Sequence, residues 1–272
     1  VTITSRQNPL VARFRAAARG DVGGLLLLDG AHLVADAIAA RITLQIAAVT
    51  PAALERADIA PLVAAMSRAG VEVVTVSAVV MAALSPVRSP SAIVALAERP
   101  AAADEQIYGG GAPLVMIAVD VQDPGNVGAI VRVAEAGGAS GVIAANGSAD
   151  PFGWKALRGS MGSALRLPIV SGIDADDAVA EARRRGCRIV AGVPRDGTSP
   201  VDLALTGPIA ILIGGEGQGL AKSLVDAADE RVTIPMQAPV ESLNAAVTAA
   251  ILVYESQRQR NLKSSINLKS EL

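Results

Sequence analysis

Between residues 114 and 260, short apolar runs alternate with helical stretches, and no other property of the chain limits its fold as strongly. The runs Leu114–Val119, Val142–Ala144, Leu167–Val170, Arg188–Gly192, Ile209–Ile213 and Arg231–Pro235 have strand length. Most are apolar at successive positions. Burial on both faces is the condition of a parallel sheet covered by helices. The covering helices are expected at Gly128–Ala136, Trp154–Met161, Ala175–Arg185, Gly219–Ala227 and Ser242–Arg260. An α/β domain over 113–262 follows, with ligand loops at the carboxyl ends of parallel strands. Its core must be aliphatic, because 51% of the chain is apolar but only 2% is aromatic.

A smaller α/β domain is expected over 1–100. Its strands are Leu25–Leu28, Leu44–Val49, Val71–Val76 and Ile93–Ala97, and its helices Ala31–Ala40, Pro61–Ala69 and Val79–Leu84. Residues 101–112 lie in an Ala, Pro and Gly-rich stretch with linker composition. The second domain should therefore own its core and survive removal of residues 1–100. The tail 263–272 continues a repeat of Asn-Leu-Lys-Ser that begins at Asn261. It reads as a frayed extension of the last helix or as a segment foreign to the fold.

Whole classes of function drop out early. No apolar run reaches the ~18 residues of a spanning helix, and the opening VTITSRQNPLVARFR lacks a secretory apolar core. A cytoplasmic protein without membrane contact is expected. A single cysteine, Cys187, excludes a disulfide framework and a Cys-rich zinc site. The single histidine, His32, argues against a His-based triad or metal site, so no metal is expected. Beside the turn Asp29-Gly30, His32 reads as structural. The net charge of −2 argues against general nucleic-acid coating. Local charge says otherwise. Arg6, Arg13, Arg15 and Arg19 have no acid among them in residues 1–20, and Lys155, Arg158 and Arg166 have none between them. Both clusters are either solvated helix faces or phosphate-contacting patches.

Three loops of the second domain hold unusual residues. After the first strand comes Asp120 to Arg132, in which Pro124-Gly125 turns the chain and Asn126 is expected to cap a helix. Arg132 falls within a stripe of Val127, Ile130, Val131 and Val133. There it needs either a buried partner or a polar ligand for its fork of donors. The second loop is Ile213-Gly-Gly-Glu-Gly-Gln-Gly-Leu220, whose glycines allow close backbone approach. The third runs from Ile234-Pro-Met236 to Glu241-Ser-Leu-Asn244, where Ser242 and Asn244 both read as helix caps.

In this order the three loops resemble the SpoU (TrmH-like) branch of the SPOUT RNA methyltransferases. The likeness rests on Asp123-Pro-Gly-Asn-Val-Gly-Ala-Ile-x-Arg132, Ile213-Gly-x-Glu-Gly-x-Gly-Leu220, and Ile234-Pro-Met with Glu241-Ser-Leu-Asn244. The front resembles the family's L30e-like RNA-binding domain through Ser5-Arg-x-Asn-Pro9 and Asp29-Gly30. The resemblance implies a C-terminal trefoil knot, a homodimer, and S-adenosylmethionine as cofactor. It also implies methyl transfer to a ribose 2′-hydroxyl of RNA, ribosomal RNA on the two-domain layout, 23S in particular. Housekeeping and antibiotic-resistance enzymes share this pattern. Asn126, Arg132, Glu216, Ser242 and Asn244 match the family's catalytic positions. Cofactor contacts are expected from Gly214, Gly215, Gly217, Gly219, Leu220, Ile234, Met236, Leu243 and Ala245, and RNA contacts from Arg6, Arg13, Arg15, Arg19, Lys155 and Arg158. The family pattern has Asn-Glu-Gly in the second loop, where this chain has Gly215-Glu216-Gly217, and Ala238-Pro239 replaces its Gly in the third.

Because arginine is not deprotonated in proteins, phosphate clamping suits Arg132 better than service as a base. Rival readings remain. Gly215-x-Gly217-x-Gly219 with Glu241 could serve a nicotinamide-dependent dehydrogenase, but too few strand–helix units follow the glycines. A transfer-RNA methyltransferase and an inactive RNA-binding protein complete the alternatives.

Overall fold

A computed structural model of the chain describes residues 2–102 and 104–270, and the side chains of all of these but 104 and 263–270. Two compact units emerge, the first holding residues up to Pro100 together with Phe152–Arg166, the second the remainder.

The first unit contains β1 (Thr2–Ile3), α1 (Pro9–Arg19), β2 (Leu25–Asp29), α2 (Ala31–Ala39), β3 (Leu44–Val49), α3 (Ala60–Arg68), β4 (Glu72–Val76), α4 (Ala78–Leu84) and β5 (Ile93–Glu98). They form a five-stranded sheet in the order β1-β4-β3-β5-β2. Strands β1, β4 and β3 are parallel, while β5 runs antiparallel to β3 and β2. No strand is expected at β1, and a helix at α1 only as one of the two readings of the arginine cluster, without its bounds. The arginines of α1 obscure its stripe of Val11, Phe14 and Ala17, which buries against the sheet. Asn8 starts this helix by accepting from the Leu10 N–H, Pro9 supplies the first turn, and Gly20 closes it in the left-handed conformation.

The second unit begins with α5 (Asp104–Ile107), followed by β6 (Leu114–Val119), α6 (Pro124–Ala136) and β7 (Gly141–Ala145). Helix α7 (Trp154–Ser160) falls in the segment that groups with the first unit. Then come β8 (Ile169–Ile173), α8 (Ala175–Arg184), β9 (Arg188–Gly192), β10 (Ile209–Gly214), α9 (Lys222–Ala227), β11 (Glu230–Val232) and α10 (Ala245–Ser270). The sheet order is β11-β9-β10-β6-β7-β8 and every pairing is parallel. Every residue of β6 and β7 is buried, as the unbroken apolar runs require. Helices α6 and α10 pack so closely that a Cβ on Gly137 would lie 1.9 Å from Val253 Cγ1.

Several expectations need correction. Residues 101–112 are more than a linker, since Ile107 and Tyr108 sit in the core of the second unit. Residues 152–166, expected in the second domain, pack with the first: Phe152, Ala156, Leu157 and Leu165 are buried there. The helix expected from Gly219 starts at Lys222, because Gly219 has a φ of +67° and belongs to a tight loop. The last helix begins at Ala245, not Ser242, and runs on to Ser270, through most of the tail set aside above. Residues 271–272 lie outside the described residues.

Candidate active site

Chain order reverses between β6 and β10. From β6 the next strand pairs on one side, whereas β10 returns to pair on the other. Such a reversal leaves a crevice beyond the strands' carboxyl ends. The loop after β6 and the glycine loop after β10 both open there. They are pressed together: the Gly215 N–H donates to the Val119 carbonyl at 2.9 Å, and a Cβ on Gly215 would lie 1.9 Å from the Asp120 carbonyl oxygen. Only glycine fits that approach. A bridge between Gly215 and Gly219 closes the loop on itself.

Three side chains from distant segments meet at this rim. Asn244 Nδ2 donates to Glu216 Oε1 at 2.9 Å and to Asn126 Oδ1 at 3.1 Å. Asn126 Nδ2 donates to the same Glu216 oxygen. Meanwhile Asn244 Oδ1 accepts from the Ala246 and Val247 N–H groups at 2.9 and 3.2 Å, which makes Asn244 the cap of α10. One amide thus fixes a helix start with its oxygen and ties two loops together with its nitrogen.

Of the three caps expected, Asn244 stands and the other two change. Asn126 is not a cap: Asp123 caps α6 by accepting from the Asn126 N–H at 2.9 Å, so the Asn126 side chain is available to the cluster. Ser242 makes no hydrogen bond among the described residues; it stands at the edge of the adjoining cleft.

That cleft has a volume of about 610 Å³, within the usual ~300–1,000 Å³ of small-molecule sites. Gly214, Gly215, Gly217, Gly219, Leu220, Ile234, Met236, Leu243 and Ala245, the residues expected at the cofactor, all line it. Glycine backbone forms one wall, and Ile213, Ile234, Met236 and Leu252 add apolar surface. A nucleoside with a short polar chain suits this lining: an apolar slot for the base and backbone groups for the rest. The sequence reading missed Gly192, Val193 and Pro194 at the end of β9, and Thr248 in the first turn of α10. The strand-end rule could have found the first three; Thr248 carried no signal.

Arg132 differs from its expectation. It is exposed on α6, with no hydrogen bond or ion pair among the described residues, and it does not line the cleft. The buried ion pair considered above is absent among those residues, and so is any hydrogen bond from Arg132 to the cluster.

The residues expected at RNA all belong to the first unit, Lys155 and Arg158 included. Arg6, Arg13, Arg15 and Arg19 are exposed, but each has a local partner. Arg6 donates to the Val79 carbonyl, Arg15 to the Ala83 carbonyl, and Arg13 to Gln45. Arg19 pairs with Asp21 at 2.6 Å, just beyond the acid-free stretch. Lys155 lies over the Trp154 ring, and Arg166 pairs with Asp36 at 3.1 Å. The side chain of His32, read above as structural, is 64% exposed and lies 3.4 Å from Asp36. Burial raises the Cys187 thiol above its ordinary range, in keeping with an inert core position. Among the described residues no group of His, Cys, Asp or Glu could hold a metal ion, and no helix is long and apolar enough to cross a membrane.

Comparison with known proteins adds kinship to this geometry. Residues 18–95 match the MRM3-like substrate binding domain, which takes in Asp29-Gly30 of the L30e-like resemblance but not Ser5–Pro9. A tRNA/rRNA methyltransferase of Synechocystis is 30% identical over 95% of this chain and 94% of its own length. The 23S rRNA (guanosine(2553)-2′-O)-methyltransferase RlmP of Bacillus subtilis is 31% identical over 68% of this chain and 72% of its own. Of a tRNA/rRNA methyltransferase from Mycobacterium, 38% identical, the chain spans only 48% of the length. The AdoMet-bound rRNA methyltransferase of Sinorhizobium meliloti superposes with a TM-score of 0.84 at 26% identity, covering 95% of this chain and 97% of that one. The SpoU rRNA Methylase family model matches residues 113–254, from the edge of β6 into α10. With just over half its length under that one model, this chain belongs to the SpoU rRNA methylase family.

Proposed function

We propose that the protein methylates a ribose 2′-hydroxyl of ribosomal RNA, 23S in particular, acting as a knotted homodimer in the cytoplasm. The carrying observation is the Asn126–Glu216–Asn244 cluster at the rim of a cleft lined by the family's cofactor positions. S-adenosylmethionine is the cofactor, and when bound it supplies a methyl group on a positively charged sulfur. The glycine-loop backbone and the apolar residues of the third loop hold its adenosine. Asn126, Glu216 and Asn244 lock the three loops in register, and Ser242 faces the same cleft. Arg132, exposed and unpaired among the described residues, forks onto the phosphate beside the target ribose and orients it. It acts on RNA and not on the cofactor, so a place outside the cleft is no objection.

The family membership, RlmP and the Sinorhizobium enzyme support ribosomal RNA, and the guanosine 2′-O specificity of RlmP supports the ribose hydroxyl. Val247 and Tyr254 are exposed large apolar residues two turns apart on α10, at 47% and 68%, and Leu262 follows at 51%. They suit a helix that meets a second copy. The test is transfer of labelled methyl from S-adenosylmethionine to ribosomal RNA, followed by alkaline hydrolysis. A 2′-O-methyl ribose leaves an uncleaved dinucleotide. Label in mononucleotides carrying a methylated base would overturn the ribose assignment, and label in transfer RNA alone would overturn the substrate.

A further inference from the structure

A second cavity, of about 520 Å³, lies in the first unit at the N-terminus of α2. Asp29, the last residue of β2, contributes to its lining with a side chain only 1% exposed. Ser85 donates its hydroxyl to Asp29 Oδ2 at 2.5 Å, but Oδ1 has no hydrogen-bond partner. The guanidinium of Arg158 is 4.0 Å from Oδ1, outside hydrogen-bond reach. A buried carboxylate oxygen without a donor is costly, and a native protein that keeps one calls for a reason.

The surroundings indicate which donor would answer it. His32, Ser91 and Arg158 line the same cavity. Gly30 precedes α2 and supplies no side-chain cap, and the first N–H groups of a helix have no partner within it. Arg56 also lines it, but Asp58 holds that guanidinium through two bonds, at 2.9 and 2.7 Å. A buried acceptor flanked by a cation and a helix N-terminus fits a nucleotide, with the base edge on the acceptor and the phosphate on the positive groups. Among RNA bases, guanine alone presents two adjacent N–H donors on its Watson–Crick edge. Adenine, cytosine and uracil set an acceptor beside each donor there, and a carboxylate repels it.

We propose that this cavity takes up an unpaired guanosine of the RNA substrate: Asp29 reads the base, and Arg158 moves from Asp29 to the adjoining phosphate. The inference rests on the reading of the protein as an RNA-modifying enzyme and adds a base preference to it.

The full chain is titrated with labelled single-stranded RNA heptamers of uridine bearing guanosine, inosine, adenosine, cytidine or uridine at the centre, read by fluorescence anisotropy. Guanosine should bind about tenfold or more tightly than adenosine, cytidine or uridine, the order of one good two-donor contact. Inosine, lacking the N2 amine, should fall between. Asp29→Asn keeps the shape but loses the charge, and should erase most of the preference. Arg158→Gln should weaken all heptamers alike. Equal binding of the guanosine and uridine heptamers by the unmodified protein overturns the site, whatever the variants do. So does an Asp29→Asn variant that is less heat-stable but equally selective, because the carboxylate is then structural. Methyl transfer to ribosomal RNA is measured alongside. Methylation without guanosine preference removes only this site, whereas guanosine preference without methylation removes the proposed function and leaves the site standing.

Discussion

Asn244 carries two duties that substitution can separate. Its Oδ1 caps α10 and its Nδ2 ties Glu216 to Asn126. Removing a cap of this kind costs about 1 kcal/mol, within a range of roughly 0.5–2. The bond to Asn126 adds about 0.5–1.5 kcal/mol net and that to the Glu216 carboxylate about 1.5–3 when shielded, both less where water competes, as at this exposed rim. Asn244→Ala should therefore destabilise the protein by about 1–3 kcal/mol. Asn244→Asp caps as well as Asn, and its charge suits a helix N-terminus. It nevertheless places an oxygen where an N–H donor stood 2.9 Å from Glu216 Oε1. That variant should retain the cap and lose the tie. Adding Glu216→Gln returns a donor to the contact and should recover stability, a coupling that a double-mutant cycle measures directly. The assay is urea unfolding followed by far-ultraviolet circular dichroism, with methyl transfer in parallel. The Asp also meets the Glu216 carboxylate, so the cap is judged with Glu216→Gln in both proteins: if Asn244→Asp then loses as much stability as Asn244→Ala, the cap assignment fails. If Glu216→Gln adds its own cost to Asn244→Asp without recovery, the tie is not what the cluster provides.

Arg132→Ala should leave stability within about 0.5 kcal/mol, as for an exposed residue without partners, while methyl transfer is lost and cofactor affinity by calorimetry is unchanged. Arg132→Lys should fail as well, for lack of a fork, and equal loss of cofactor affinity would refute the clamp. Replacing Arg6, Arg13, Arg15 and Arg19 together by Ala should lower the slope of log affinity against log salt by about 2–3 units. Arg19 is already offset by Asp21, so three phosphate contacts and not four are at stake; filter binding across a salt series reads it. Gly215→Ala should destabilise severely because its Cβ meets the Asp120 carbonyl, whereas a Cβ on Gly217 has nothing within 4 Å. Gly217→Ala should fold normally, so any loss of cofactor affinity would come from the ligand side. Residues 101–272 alone should keep Cys187 protected from iodoacetamide but bind a hydrophobic dye, since Phe152, Ala156, Leu157 and Leu165 lose their cover. A clean, dye-silent fragment would show that 152–166 needs no partner in the first unit.

That last case shows what the sequence could and could not disclose. The parallel sheet was legible because a strand buried on both faces must be apolar throughout, and β6, β7 and β10 are. Lys155, Arg158 and Arg166 were legible as a cluster, but no local pattern says that the segment carrying them, set between two strands of one sheet, groups with the first unit. Burial of Leu157 is written as one apolar residue, and an apolar residue does not name the surface it covers. Helix α1 was legible only as a charged face, and its buried side was not: its arginines dominate a stripe of only Val11, Phe14 and Ala17.

The site divides along the same line. Glycines 214 and 219 were legible because the tight loop itself demands them, through crowding within the loop and a positive φ, whereas Gly215 answers to the Asp120 carbonyl of a distant segment. The residues of the cleft could be gathered by resemblance, yet their division of labour could not. An Asn beside a helix start reads as a cap wherever it stands, so Asn126 and Asn244 looked equivalent. The structure separates them through Asp123, which takes the cap of α6 and releases Asn126 to the cluster. Asn244 keeps the cap of α10 with one atom and joins the cluster with the other. A site assembled in this way depends on which of two chemically equal partners satisfies a backbone group first, and only the packed chain decides that.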